Sequence, residues 1–115
     1  MTDLDRTLAA LAEPARRGAV DLLRKKPRRA GELAASLGLS APAMSRHLRV
    51  LRTSGLVEEA HGGAAEGDAR VRVYRLRPEP FDALGAWVAD VERYWTLELA
   101  AFKRHAERAR RKKRR

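Results

Sequence analysis

Gly38-Leu39-Ser40-Ala41-Pro42-Ala43-Met44-Ser45-Arg46-His47-Leu48-Arg49-Val50-Leu51 is the stretch on which the reading of this chain turns. Ser40 is a helix-starting residue, because its side-chain oxygen accepts a bond from a free backbone N–H two or three positions on. Pro42 falls in the first turn, where an amide hydrogen has no intrahelical partner to lose. Met44, Leu48 and Leu51 then recur at spacings of four and three, which places them on one face of a helix running from Ala41 to about Ser54. At roughly 100° per residue, Pro42, Arg46, Arg49 and Thr53 point the other way. Gly55 stops the helix.

Just upstream, Leu33, Ala34 and Leu37 make the inward face of a shorter helix from about Gly31 to Ser36, and Gly38 suits the left-handed turn that ends it. A lone helix with outward arginines is ordinarily a solvated face. Two short helices joined by a tight glycine turn add a second reading, a helix-turn-helix. Further upstream, Pro14 opens a helix with Ala15, Ala19, Leu22 and Leu23 on its apolar side, ended by Lys25-Lys26-Pro27. Leu4, Leu8 and Leu11 form a short amphipathic stripe within residues 2–12.

Downstream, Leu56-Val57-Glu58-Glu59 begins a strand. A Gly/Ala-rich loop follows from His61 to Asp68, and Arg70-Val71-Arg72-Val73-Tyr74-Arg75-Leu76 alternates as the return strand of a β-hairpin. Pro78 and Pro80 punctuate. A long helix from about Phe81 carries Phe81, Leu84, Val88, Val91, Trp95, Leu99 and Phe102 at spacings of three and four, widened by Trp87 and Tyr94. That stripe exceeds what so small a domain buries alone, and an apolar surface of that extent marks an interface. The helix is expected to fray past His105.

The 115 residues suit one domain, and no cysteine is present, which excludes disulfides and thiolate metal sites. No apolar run approaches the ~20 residues of a membrane span, and the acidic Met1-Thr2-Asp3 opening lacks the features of a signal peptide, so the expected address is the cytoplasm. Net charge is +10, of which Lys103–Arg115 carries +8 through nine Lys or Arg against one Glu. Such a run is either a solvated, flexible end or a non-specific polyphosphate contact. No phosphate-cradling Gly loop, cysteine nucleophile or histidine pair supports catalysis.

Three segments resemble the ArsR family of winged helix-turn-helix repressors: Leu11-Ala12-Glu13-Pro14-Ala15-Arg16-Arg17; Glu32-Leu33-Ala34 with Leu39 to Leu51 and the closing Gly55-Leu56-Val57; and Val73-Tyr74-Arg75-Leu76. The resemblance spans about residues 8–77. It departs at Ala15 and Ala41, which stand where the family carries more polar residues, and at Glu13, a weaker cap than the usual Asp. It implies a mostly α, α+β fold with a two-stranded hairpin wing, in which residues 1–107 form the domain with dimerisation helices at both ends and 108–115 a basic tail.

The implied function is a transcriptional regulator, a repressor that binds a palindromic operator in double-stranded DNA as a homodimer. Expected DNA contacts are Ser40, Pro42, Ser45, Arg46, His47 and Arg49, with Arg70 and Arg72 on the wing. Arg46 is the expected base reader, since arginine bonds guanine bidentately and the N-terminal half of such a helix enters the major groove. Expected dimer contacts are Leu4, Leu8, Leu11, Phe81, Leu84, Val88, Val91 and Trp95. No cofactor and no metal are expected: of the two kinds of metal site that the resemblance implies, the one built from cysteines near the DNA-reading helices is impossible here, and the one built from Asp and His on the last helix is poorly matched by Asp90, Glu92, His105 and Glu107. Three rivals stand beside this reading. One is a non-specific architectural DNA binder, which the basic tail favours. Another is a small-molecule-responsive repressor with a ligand site near Trp87, Tyr94 and Trp95 at the dimer interface. The third is a protein-interaction adaptor on a winged-helix scaffold, which predicts no specific DNA site.

Overall fold

The structure, a computed structural model, describes residues 1–61 and 72–114. The elements run α1 (Asp3–Leu11), α2 (Pro14–Leu23), β1 (Arg28–Arg29), α3 (Ala30–Leu37), α4 (Ala41–Thr53), β2 (Val57–His61), β3 (Arg72–Leu76) and α5 (Pro78–Arg114). They divide into two compact units, residues 1–82 and 83–115.

In the first unit, α2, α3 and α4 close over a small antiparallel sheet. Leu33, Met44, Leu51, Leu56 and Val57 are its largest fully buried side chains. Each such burial contributes roughly 1.5–3 kcal/mol. Leu11, Leu37, Tyr74, Leu76 and Phe81 pack around that core partly buried. Gly18 on α2 lets α3 come close, since a Cβ there would stand 2.8 Å from Leu37 Cδ2.

Helices α3 and α4 end by the same device. Gly38 (φ 66°) and Gly55 (φ 80°) take the left-handed conformation. The amide after each glycine then bonds back five residues, Leu39 to the Ala34 carbonyl and Leu56 to the Leu51 carbonyl, both at 2.9 Å.

The expected two-stranded hairpin is present as β2 and β3, and a third strand, β1, joins its edge. The sheet order is β1-β3-β2, with Glu59 opposite Tyr74 across β2–β3, and Arg28 opposite Tyr74 across β1–β3. Two arginines carry no alternating pattern, so β1 exists only because β3 offers a free edge. The strand also follows the end of α2, where the Arg28 guanidinium donates to the Leu22 carbonyl at 3.2 Å.

Helix α1 buries Thr7 and Ala10 fully in the core, while of its leucine stripe Leu4 and Leu11 are only half-buried and Leu8 is exposed. The Thr7 hydroxyl is satisfied by donating to the Asp3 carbonyl at 3.1 Å. The Arg16-Arg17 pair at the start of α2 explains itself in this setting. Arg16 donates to the Ala10 carbonyl at 2.6 Å and Arg17 to the Leu11 carbonyl at 2.8 Å, so two cations satisfy the orphan C-terminal carbonyls of α1.

Two expectations for α5 need correction. The helix starts at Pro78, not near Phe81, because both prolines sit in a first turn whose amides need no intrahelical acceptor. At its other end it does not fray past His105 but continues to Arg114. Arg, Lys, Ala and Glu are strong helix formers, no Gly or Pro interrupts them, and cations favour the negative end of the helix dipole. In the second unit Trp87, Val88, Tyr94, Trp95, Leu97, Leu99 and Phe102 are exposed, Phe102 by 70%. Tyr94 and Trp95 meet edge to face with ring centroids 6.3 Å apart.

Candidate nucleic-acid interface

The α3–Gly38–α4 unit sets one helix face outward. The Ser40 hydroxyl accepts the Ala43 amide at 3.2 Å, so the serine caps α4. Met44, Leu48 and Leu51 are buried beneath it. Pro42, Ser45, Arg46 and Arg49 lie exposed on the far side. The side chains of Arg46 and Arg49 have no hydrogen-bond or ion-pair partner among the described residues. His47 is half-buried at the edge of this face, its Nδ1 3.4 Å from an Arg16 guanidinium nitrogen.

Between α4 and the sheet runs a cleft of about 280 Å³ lined by Ser45, Arg46, Leu48, Arg49, Arg52, Glu59, Arg72 and Tyr74. Among the described residues, four guanidinium groups therefore share it with a single carboxylate. That carboxylate, Glu59, is bonded by Arg52 from α4, lies 3.8 Å from Arg72 Nε and accepts the Tyr74 hydroxyl at 3.3 Å. Burial, and then the neighbouring Glu59 charge, push the Tyr74 phenol above its ordinary value, so it stays a donor. On the other side of β2, Glu58 pairs with Arg75 at 2.6 Å and with Arg77 at 3.9 Å.

The sequence singled out Ser45, Arg46, Arg49 and Arg72, and the fold brings all four to one cleft. Arg70 lies outside the described residues. Arg52, Glu59 and Tyr74 were missed. Arg52 had a legible signal, since it follows Arg49 by three and Ser45 by seven on the same face; Glu59 read only as the end of a strand. Among the described residues no three of His, Asp or Glu gather as a metal site, and no helix is long and apolar enough to cross a membrane.

A fold of this outline is found in known proteins. Residues 13–59 match the family described as bacterial regulatory protein, arsR family. The HTH-type transcriptional regulator Rv2034 of Mycobacterium tuberculosis is 40% identical over 98 residues, covering 85% of this chain and 83% of the relative. This chain belongs to the ArsR family. An ArsR-like transcriptional regulator from Rhodococcus superposes with a TM-score of 0.70 at 27% identity, over 89% of this chain and 91% of that one. A homodimeric winged helix-turn-helix DNA-binding domain from Mycobacterium bovis gives 0.60 at 29% identity, over 78% of each chain. The protein is thus an ArsR-family transcriptional regulator with a DNA-binding winged helix-turn-helix, and not an enzyme. In ArsR terms α3 and α4 are the helix-turn-helix, and β2 and β3 the strands of the wing.

Proposed function

We propose that this ArsR-family regulator is a repressor that binds a palindromic operator as a homodimer. The observation that carries the reading is the division of α4, with Met44, Leu48 and Leu51 buried and Arg46 and Arg49 exposed without ion-pair partners among the described residues. Arg46 reads a base edge, Arg49 and Arg72 neutralise phosphate, Ser45 and His47 contact the backbone, and Pro42 meets a thymine methyl. Ser40 acts mainly through its cap. Repression needs no reaction, because a dimer seated on a promoter excludes polymerase. Its place of work is the cytoplasm, where the DNA is.

The homodimer reading rests on apolar surface. In the second unit Val88 and Trp95 are exposed while Leu84 and Val91 are half-buried; in the first, Leu8 is exposed and Leu4 half-buried. Leu11 and Phe81 contribute less to a partner, since they already pack against the core of their own unit. The homodimeric Mycobacterium bovis domain supports the same arrangement here. Two such subunits would set their recognition helices about one turn of DNA apart.

The test is selection of bound sequences from a random duplex pool, followed by transcription in vitro from a promoter carrying the winning site. The reading expects an inverted repeat and reduced transcript. Recovery of sequences without any motif would instead mark a non-specific architectural binder, and increased transcript an activator.

A further inference from the structure

Glu59 does not fit a surface built to meet phosphate. It stands in the cationic cleft with its side chain only 24% exposed. It engages groups from both DNA-facing elements: Arg52 on α4, and Arg72 and Tyr74 on β3. Its register fixes this role, because Glu59 pairs directly with Tyr74 and lies two residues from the His61–Arg72 pair on the same strand. A carboxylate held by two guanidinium groups and a phenol presents what a DNA phosphate would present: oxygen acceptors with negative charge. By contrast, Arg46 and Arg49 in the same cleft carry no such partner among the described residues.

We propose that Glu59 is a specificity-determining residue, an internal substitute for phosphate that occupies Arg52 and Arg72 until a correct operator is docked. The inference rests on the DNA-binding reading of the cleft. Non-specific association is driven by cations that displace counterions from the duplex. The single Glu59 charge cancels one of the two guanidinium charges, so generic DNA meets a surface poorer by one charge than its arginines alone would offer. At the operator, base contacts by α4 bring the backbone close enough to take both arginines from Glu59. The carboxylate therefore lowers affinity for generic DNA more than affinity for the operator.

The experiment measures the salt dependence of binding to a selected operator and to a generic duplex, for wild type and Glu59→Gln. The amide keeps the size and an acceptor but removes the charge. On generic duplex, the slope of log K against log salt should steepen by about 0.9 for the one charge uncovered, roughly eightfold in affinity near 0.1 M salt. On the operator the slope should stay near that of wild type, so the specificity ratio falls. The added slope should vanish in the triple variant Glu59→Gln, Arg52→Gln, Arg72→Gln.

A melting curve checks that each variant is folded. Should Glu59→Gln fail to fold, the pair Arg52→Gln, Arg72→Gln in the Glu59 background carries the test, and it must weaken operator binding more than generic binding. Unchanged generic slope in Glu59→Gln, or equal steepening on both DNAs, overturns the inference while leaving the regulator reading intact. Wild type that binds no duplex at all overturns both.

Discussion

Arg46 and Arg49 sit three residues apart on one exposed face of α4, and the proposed function gives them different tasks on DNA, by depth in the groove. Arg46→Ala should cost about 1–3 kcal/mol on the operator and relax preference at one position of each half-site, read by repeating the selection with the variant. Arg49→Ala should weaken all sequences evenly and make the salt slope shallower by about 0.9, read by titration at several salt concentrations. The same scale explains why the Arg16-Arg17 pair belongs to the recognisable text of the chain. Their work is on α1 carbonyls, and Arg16 reaches His47 besides, so a residue distant from the recognition helix braces its flank.

At the scale of the element, α1 is held by a reciprocal cap. The Thr2 backbone N–H donates to the Asp5 carboxylate at 3.0 Å, and the Thr2 hydroxyl accepts the Asp5 amide at 3.1 Å. The backbone bond first, then the threonine side chain, holds the Asp5 carboxyl below the ordinary carboxylate value. A carboxylate with a depressed folded value contributes stability above its unfolded value and loses it as pH falls through the folded one. Thr2→Ala should therefore lower Tm at neutral pH, and the deficit should shrink in strong acid, where Asp5 is protonated in both states. Thermal melts at a series of pH values check this. Helix α5 shows the complementary case. Like charges from Arg108 to Lys113 repel, but each residue there also prefers the helix, and the helical preference prevails in the structure.

For the whole molecule, assembly and charge are the open quantities. Trp95 is 58% exposed on the apolar stripe of α5, so Trp95→Glu should shift sedimentation from dimer to monomer at micromolar concentration. The operator affinity should fall with it, because one half-site alone cannot hold the complex. A wild type already monomeric in that experiment would remove the dimer from the reading. Deleting 108–115 should weaken operator and generic duplex together, more at low salt, and leave the selected motif unchanged, since seven cations in that stretch carry no group that distinguishes bases well. Far-UV circular dichroism should report lost helix in the same truncation. A changed motif would show that the winged helix is not the sole reader.

Local chemistry was enough for much of this. Ser40, Pro42, Gly38 and Gly55 specify helix ends through hydrogen bonding and backbone conformation within a few residues. The periodicity of Met44, Leu48 and Leu51 specifies which side of α4 is buried, and hence that Arg46 and Arg49 face out. What the tertiary structure alone decided depends on partners remote in the chain. Strand β1 has no pattern of its own and takes its form from the free edge of β3. Leu8 belongs to a regular stripe, yet Thr7 and Ala10 are the α1 residues that packing against the rest of the unit buries. Glu59 reads in isolation as one acid among fifteen. Only the pairing of β2 with β3 and the packing of α4 on the sheet bring Arg52, Arg72 and Tyr74 around it, and no local rule encodes a contact that three separate elements must meet to make.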